Sequence, residues 1–131
     1  MKKAGIITLA LVAAMAVAVP ALGSGASKPS KVKTAATVKV GDDFYSKTSV
    51  KFTVPKKGKK VKFKWLPANT DSHNVILTKG PRSLTNKQKK SFKSATGAIG
   101  VRFQPTFKKQ GPYDFVCTIH PTQMKLTVKV K

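Results

Sequence analysis

The chain has 131 residues, enough for one domain and not for two. Its 26 Lys and Arg stand against four Asp and no Glu, for a formal net charge of +22. That balance favours polyanionic partners, but no helical recognition motif or RNA-binding signature accompanies it, which argues against nucleic acid.

The chain opens with "MKK", then a short apolar run from Ala4 to Val19, then Pro20 and the small residues of "ALG". This is the pattern of a cleaved secretory signal peptide over residues 1–23. The apolar run is short for a membrane span, which needs about 20 residues. The mature chain is therefore expected to be exported (periplasmic, cell-surface or secreted) and to carry no membrane span. A lipid anchor on an N-terminal cysteine is excluded, because Cys117 is the only cysteine. Residues 24–36, rich in Ser, Ala, Lys and Pro, read as a flexible leader. The folded domain is expected over residues 37–131. Loss of Lys2 and Lys3 with the signal leaves a charge of +20 (22 − 2).

Period-two alternation dominates the rest of the chain. "TVKV" at 37–40 is a weak strand. "SVKFTV" puts Val50, Phe52 and Val54 on one face, and "KVKFKW" puts Val61, Phe63 and Trp65 inward with Lys60, Lys62 and Lys64 outward. "HNVIL" at 73–77 reads as a strand with His73, Val75 and Leu77 on one face. Ser83 to Ser94 has poor helical periodicity and is expected to form at most one or two turns. "IGVRF" offers Ile99, Val101 and Phe103. "YDFVC" offers Tyr113, Phe115 and Cys117, and "MKLTVKV" offers Met124, Leu126, Val128 and Val130. Turn signals at Gly41-Asp42-Asp43, Pro55 to Gly58, Pro67 to Asp71, Gly80-Pro81 and Gly111-Pro112 separate these runs. Many short strands at close spacing predict an all-β fold, an antiparallel β-sandwich. The outward lysines also guard its edges against pairing with other chains.

Without the signal peptide, the soft side chains number four: His73, Cys117, His120 and Met124. Two imidazoles, one thiolate and one thioether are the donors of a trigonal copper site with a weak axial Met. The spacing supports that grouping. Cys117 ends a strand, "TIH" can turn His120 back beside the sulfur, and Pro121 stiffens the turn. Met124 opens the last strand on the parity of Leu126 and Val128. A sandwich can bring the strand bearing His73 to the same rim. Taken singly, each residue has an ordinary reading: His73 at a strand end, Cys117 as a small buried hydrophobe, Met124 as core filler, Asn74 in a turn. Zinc is the chemical rival, but structural zinc favours more thiolates and a thioether serves it poorly.

The segments "SHNV" at 72–75 and "GPYDFVCTIHPTQM" at 111–124 resemble the small blue-copper proteins, the cupredoxins of the plastocyanin, pseudoazurin and amicyanin kind. Gly111, Tyr113, Phe115, Cys117 and His120 match that family's G-x-Y-x-F-x-C-x-x-H pattern, and Asn74 follows His73 as it does there. The resemblance implies a Greek-key sandwich and one copper ion alternating between Cu(I) and Cu(II). It also implies that Asn74 braces the ligand loop near Thr118. Three residues separate His120 from Met124, a gap that varies in the family, and Gln123 is a weaker axial candidate than Met124.

The function expected is that of a monomeric single-electron carrier and not an enzyme, because both histidines are already used. His120 and Pro121 form the expected edge for electron passage. Leu66, Pro67, Ala68, Pro121 and Thr122 are expected to form an apolar rim. The lysines would steer an acidic redox protein or an anionic cell-surface polymer. Two alternatives remain: copper storage or delivery without a redox partner, and a metal-free basic sandwich that binds cell-wall polyanion.

Overall fold

The computed structural model describes residues 32–131; the expected signal peptide and most of the expected leader lie outside the described residues. Strands β1 (Thr34–Gly41), β2 (Phe44–Tyr45), β3 (Ser49–Phe52) and β4 (Lys59–Trp65) come first. They precede β5 (Ile76–Lys79) and the short helix α1 (Asn86–Lys90), and β6 (Arg102–Phe103), β7 (Thr106–Phe107), β8 (Gly111–Val116) and β9 (Lys125–Val130) complete the chain. One sheet has the order β2-β1-β4-β6, with β7 also paired to β4, and the other has the order β3-β9-β8-β5. The β-sandwich expected from alternation is what forms. Its first strand starts at Thr34, ahead of Thr37.

The sheets are mixed. Most pairings are antiparallel, including β8 with β9, but β1 runs parallel to β4 and β3 parallel to β9. Alternation reveals which face a side chain takes and says nothing of strand direction. The chain leaves β1 through β2, crosses to the second sheet as β3, and returns as β4 beside β1. Parallel neighbours require a crossover of this kind.

The inward parities meet as expected. Val38, Val40, Val61, Phe63 and Trp65 from the first sheet face Tyr113, Phe115, Leu126 and Val128 from the second, all buried. Phe63 and Phe115 span the two sheets at 6.0 Å between ring centroids, and Phe107 stands edge-on to Tyr113 at 4.8 Å. Each such side chain contributes about 1.5–3 kcal/mol on burial. Helix α1 is held by a capping box in which Thr85 and Gln88 satisfy each other's backbone N–H.

The expected run at 49–54 stops at Phe52, and two others are shortened further. The run at 73–77 enters the ladder only at Ile76, because His73 pairs instead with Gly97 through two backbone hydrogen bonds of 3.0 and 3.1 Å. The run at 99–103 forms a strand only at Arg102–Phe103, and Ile99 is 61% exposed. The loop before it turns at Gly100, whose φ of +73° suits glycine, and brings Gly97 to His73.

Candidate metal centre

The site is built at the rim where the β1–β2 turn, the segment before β5, and the β8–β9 loop converge. His73 is fully buried and fixed by its backbone pairing to Gly97. The Gly97 carbonyl also accepts from Trp65 Nε1 at 3.0 Å, so a core aromatic anchors the loop opposite the histidine.

The ring of His73 is oriented from one side. Its Nε2 lies 3.0 Å from Asp42 Oδ1. Asp42 also accepts from the Thr70 backbone N–H, the Thr70 hydroxyl and the Asp71 backbone N–H. The His73 ring N–H, then the Thr70 amide, then the Asp71 amide and the Thr70 hydroxyl hold this carboxyl well below the usual carboxylate range, against a smaller opposing effect of desolvation. An ionised carboxylate can only accept, so Nε2 carries the ring proton and Nδ1 carries the lone pair. Nδ1 is buried and has no hydrogen-bond partner. A buried acceptor left unpaired costs about 1–3 kcal/mol, and a bound cation would satisfy it.

His73 is grouped with two further donors. The ligand atoms of His73, Cys117 and His120 all lie within 4.8 Å of one another. Cys117 is buried at the end of β8, with Sγ 3.9 Å from His120 Nδ1. The two imidazole rings sit 5.0 Å apart, tilted by 43°. His120 keeps 18% of its side chain exposed, and its Nε2 lies 3.3 Å from Asp43 Oδ1. Two imidazole nitrogens and a buried sulfur are a donor set that suits copper.

Asn74 ties the pieces together. Its backbone N–H points to Cys117 Sγ at 3.5 Å. Its side chain accepts from Thr118 N and donates to Thr118 Oγ1, both at 2.8 Å, and donates to Thr96 Oγ1 at 3.1 Å. Its carbonyl accepts from Tyr45 OH at 2.6 Å. Ionisation of Tyr45 is strongly disfavoured, first by burial and then by its nearness to Cys117.

The loop from Cys117 to Met124 closes on itself through Cys117 N to the Met124 carbonyl and Met124 N to the His120 carbonyl, both 3.0 Å. Met124 is fully buried beside the cysteine's backbone. Gln123 is exposed and its Oε1 accepts from the Thr122 hydroxyl, so it is turned away from the centre.

The family of copper binding proteins described as plastocyanin/azurin matches residues 32–131. The chain belongs to that family. It is a blue-copper cupredoxin, and one copper ion is its cofactor. Solved structures agree on the fold. A reduced Cu(I) amicyanin mutant at pH 4 is 24% identical with a TM-score of 0.55, over 74% of this chain and 82% of that one. A purple cupredoxin from Nitrosopumilus maritimus is 22% identical with a TM-score of 0.54, over 73% and 99%. A copper-containing nitrite reductase from Thermus scotoductus SA-01 is 22% identical with a TM-score of 0.56, over 76% of this chain and 22% of its own. No curated protein matches the chain in sequence.

In this cupredoxin the structure brings His73, Cys117 and His120 together and links Asn74 to Thr118. Pro121 is exposed next to His120, Pro67 and Ala68 are exposed, and Leu66 is half-buried. Ile119, 45% exposed in the ligand loop, and Ile99 add apolar surface that the sequence did not suggest. Nor did the sequence suggest a role for Asp42, Asp43 and Asp71 beyond turn formation. Their scarcity was the available signal: three of the chain's four aspartates stand within two segments.

Proposed function

We propose that this cupredoxin is a one-electron carrier, in which His73, His120 and Cys117 would hold the copper and the Met124 thioether would serve as a weak fourth donor. The observation that carries this is a fully buried His73, with a partnerless Nδ1, grouped with a buried thiol and a second imidazole whose ligand atoms all lie within 4.8 Å of one another. Copper bound there supplies a Cu(II)/Cu(I) couple that suits this compromise donor set.

The protein's own part is rigidity at the back and access at the front. Asp42 and Gly97 fix His73, and Asn74 fixes the loop that carries Cys117 and Thr118. His120 and Pro121 form the edge that a partner meets, flanked by Ile119. Both histidines of the chain serve this one group, which leaves none for a second copper and favours a carrier over an oxidase or reductase. Storage or delivery is the second reading, and no surplus soft donor supports it.

Surface charge supports an acidic redox partner. Lys39 pairs across to Lys64, and Lys64 to Arg102, so three exposed cations lie side by side over β1, β4 and β6. Adjacent like charges weaken a sheet, and among the described residues no carboxylate pairs with them. Lys39 stands just before the turn that bears Asp42, which places this cationic strip close to the copper rim. No helix among the described residues is long and apolar enough to cross a membrane. Export through the residue 1–23 signal completes the proposal.

The test is the absorption spectrum of the copper-loaded protein beside Cys117→Ser. An intense blue band that vanishes in the variant is the expected result. Its absence from the wild type would overturn the carrier reading.

A further inference from the structure

The geometry points to the Gly41-Asp42-Asp43 turn as a carboxylate clamp on the outward nitrogens of both copper-ligand histidines, whose Asp42 and Asp43 are positioning residues that favour Cu(II) over Cu(I). The clamp presupposes the one-electron carrier proposed for this site.

It is built from two consecutive residues. Asp42 reaches His73 Nε2 at 3.0 Å, and Asp43 reaches His120 Nε2 at 3.3 Å. Each contact uses Nε2, which leaves His73 Nδ1 without a partner and His120 Nδ1 3.9 Å from Cys117 Sγ. Asp42 is itself immobilised by the Thr70 and Asp71 backbone N–H groups and the Thr70 hydroxyl. Asp43 has φ 63°, the single non-glycine residue in the left-handed region among the described residues. Glycine would adopt that conformation without penalty, and Asp is one of the few side chains that visit it as a single residue. That backbone twist lets adjacent side chains reach two different rings. The Asp71 carboxylate lies within 4.8 Å of the Asp43 carboxylate and a His120 nitrogen, so three of the chain's four aspartates gather at this rim. The fourth, Asp114, accepts instead from Thr127 on the neighbouring strand β9.

The physical effect has two parts. A carboxylate against one ring nitrogen makes the other a stronger donor and fixes the ring's orientation. Its negative charge also stabilises a doubly charged ion more than a singly charged one. Both parts lower the reduction potential. Asp42 does so from a partly enclosed position. Asp43, 61% exposed, does so more weakly and also retains His120, the histidine reachable from solvent.

The experiment is redox titration of the copper-loaded protein and of Asp42→Asn, Asp43→Asn, Asp43→Gly and Asp114→Asn. Asp43→Asn keeps the side chain's shape and Asp43→Gly suits the positive φ, so the two guard against different folding defects. Asp42→Asn is expected to shift the Cu(II)-to-Cu(I) preference about tenfold toward Cu(I), a rise of about 59 mV for one electron. Both residue 43 variants are expected to shift it about threefold, with the blue band retained. Asp114→Asn removes the same charge away from the site and is expected to leave the potential nearly unchanged. Nitrogen NMR of the copper-free protein is expected to find the His73 proton on Nε2. A blue band with unmoved potentials at residues 42 and 43, or shifts no larger than that of Asp114→Asn, overturns the clamp and leaves the carrier reading standing. A wild type with no blue band overturns both.

Discussion

His73 and His120 bring their rings to the same spot from very different surroundings. His73 has no exposed surface, is paired through its backbone to Gly97, and is gripped by a carboxylate that three other donors hold in place. His120 sits in a loop of eight residues from Cys117 to Met124, partly exposed, with one carboxylate contact to a residue that is mostly in water. One half of the centre is therefore shaped before any ion arrives, and the other half stays adjustable. Reuse of one donor type at two levels of burial separates the task of holding the ion from that of meeting a partner.

The largest expected effect breaks the comparison outright. His73→Gly is expected to lose the blue band without rescue, because the cavity it leaves is enclosed by protein. His120→Gly is expected to lose the band and regain it with millimolar imidazole, because solvent reaches that side. Absorption titrations with imidazole check this, and equal rescue in both variants would erase the distinction. A smaller effect is expected where the halves are joined. Asn74→Ala strands Thr118 N and removes the links to Thr96 and Thr118, so urea unfolding of the copper-free protein is expected to show a loss of about 1–3 kcal/mol. The smallest effect is expected on the buried side. Tyr45→Phe removes the bond to the Asn74 carbonyl, worth about 1 kcal/mol, and changes the alkaline limb. Tyr45 and Tyr113 both have ionisation pushed above the ordinary value of 10.0 by burial, with the neighbouring Cys117 adding to the shift at Tyr45. Above pH 10 the unfolded chain releases protons that the folded chain retains, so stability is intact below that pH and falls as pH rises. Melts at pH 9 to 11 are expected to show a shallower fall for Tyr45→Phe than for the wild type.

Face assignment was legible because alternation is a local property. Phe63, Trp65, Tyr113, Phe115, Leu126 and Val128 all point where their parity puts them. Cys117, His120 and Met124 were legible because eight consecutive residues hold them, and His73 because the inventory left no other histidine for that role. Strand direction was not legible, since the parallel pairing of β1 with β4 depends on a crossing between sheets. Ile99 looked like a core residue, but the loop is committed to pairing Gly97 with His73. Asp42 was hidden most thoroughly. Gly-Asp-Asp is a sufficient local recipe for a turn, and nothing nearby announces a partner 31 residues away.

The ligand loop joins β8 to β9, the two inner strands of the second sheet. Cys117 begins where β8 ends, and Met124 stops where β9 begins. The sulfur therefore cannot retreat from the rim unless the middle of that sheet comes apart. Bleaching on heating thus becomes a readout of global melting, while a chelator added in the cold has only the imidazole side by which to draw the ion out.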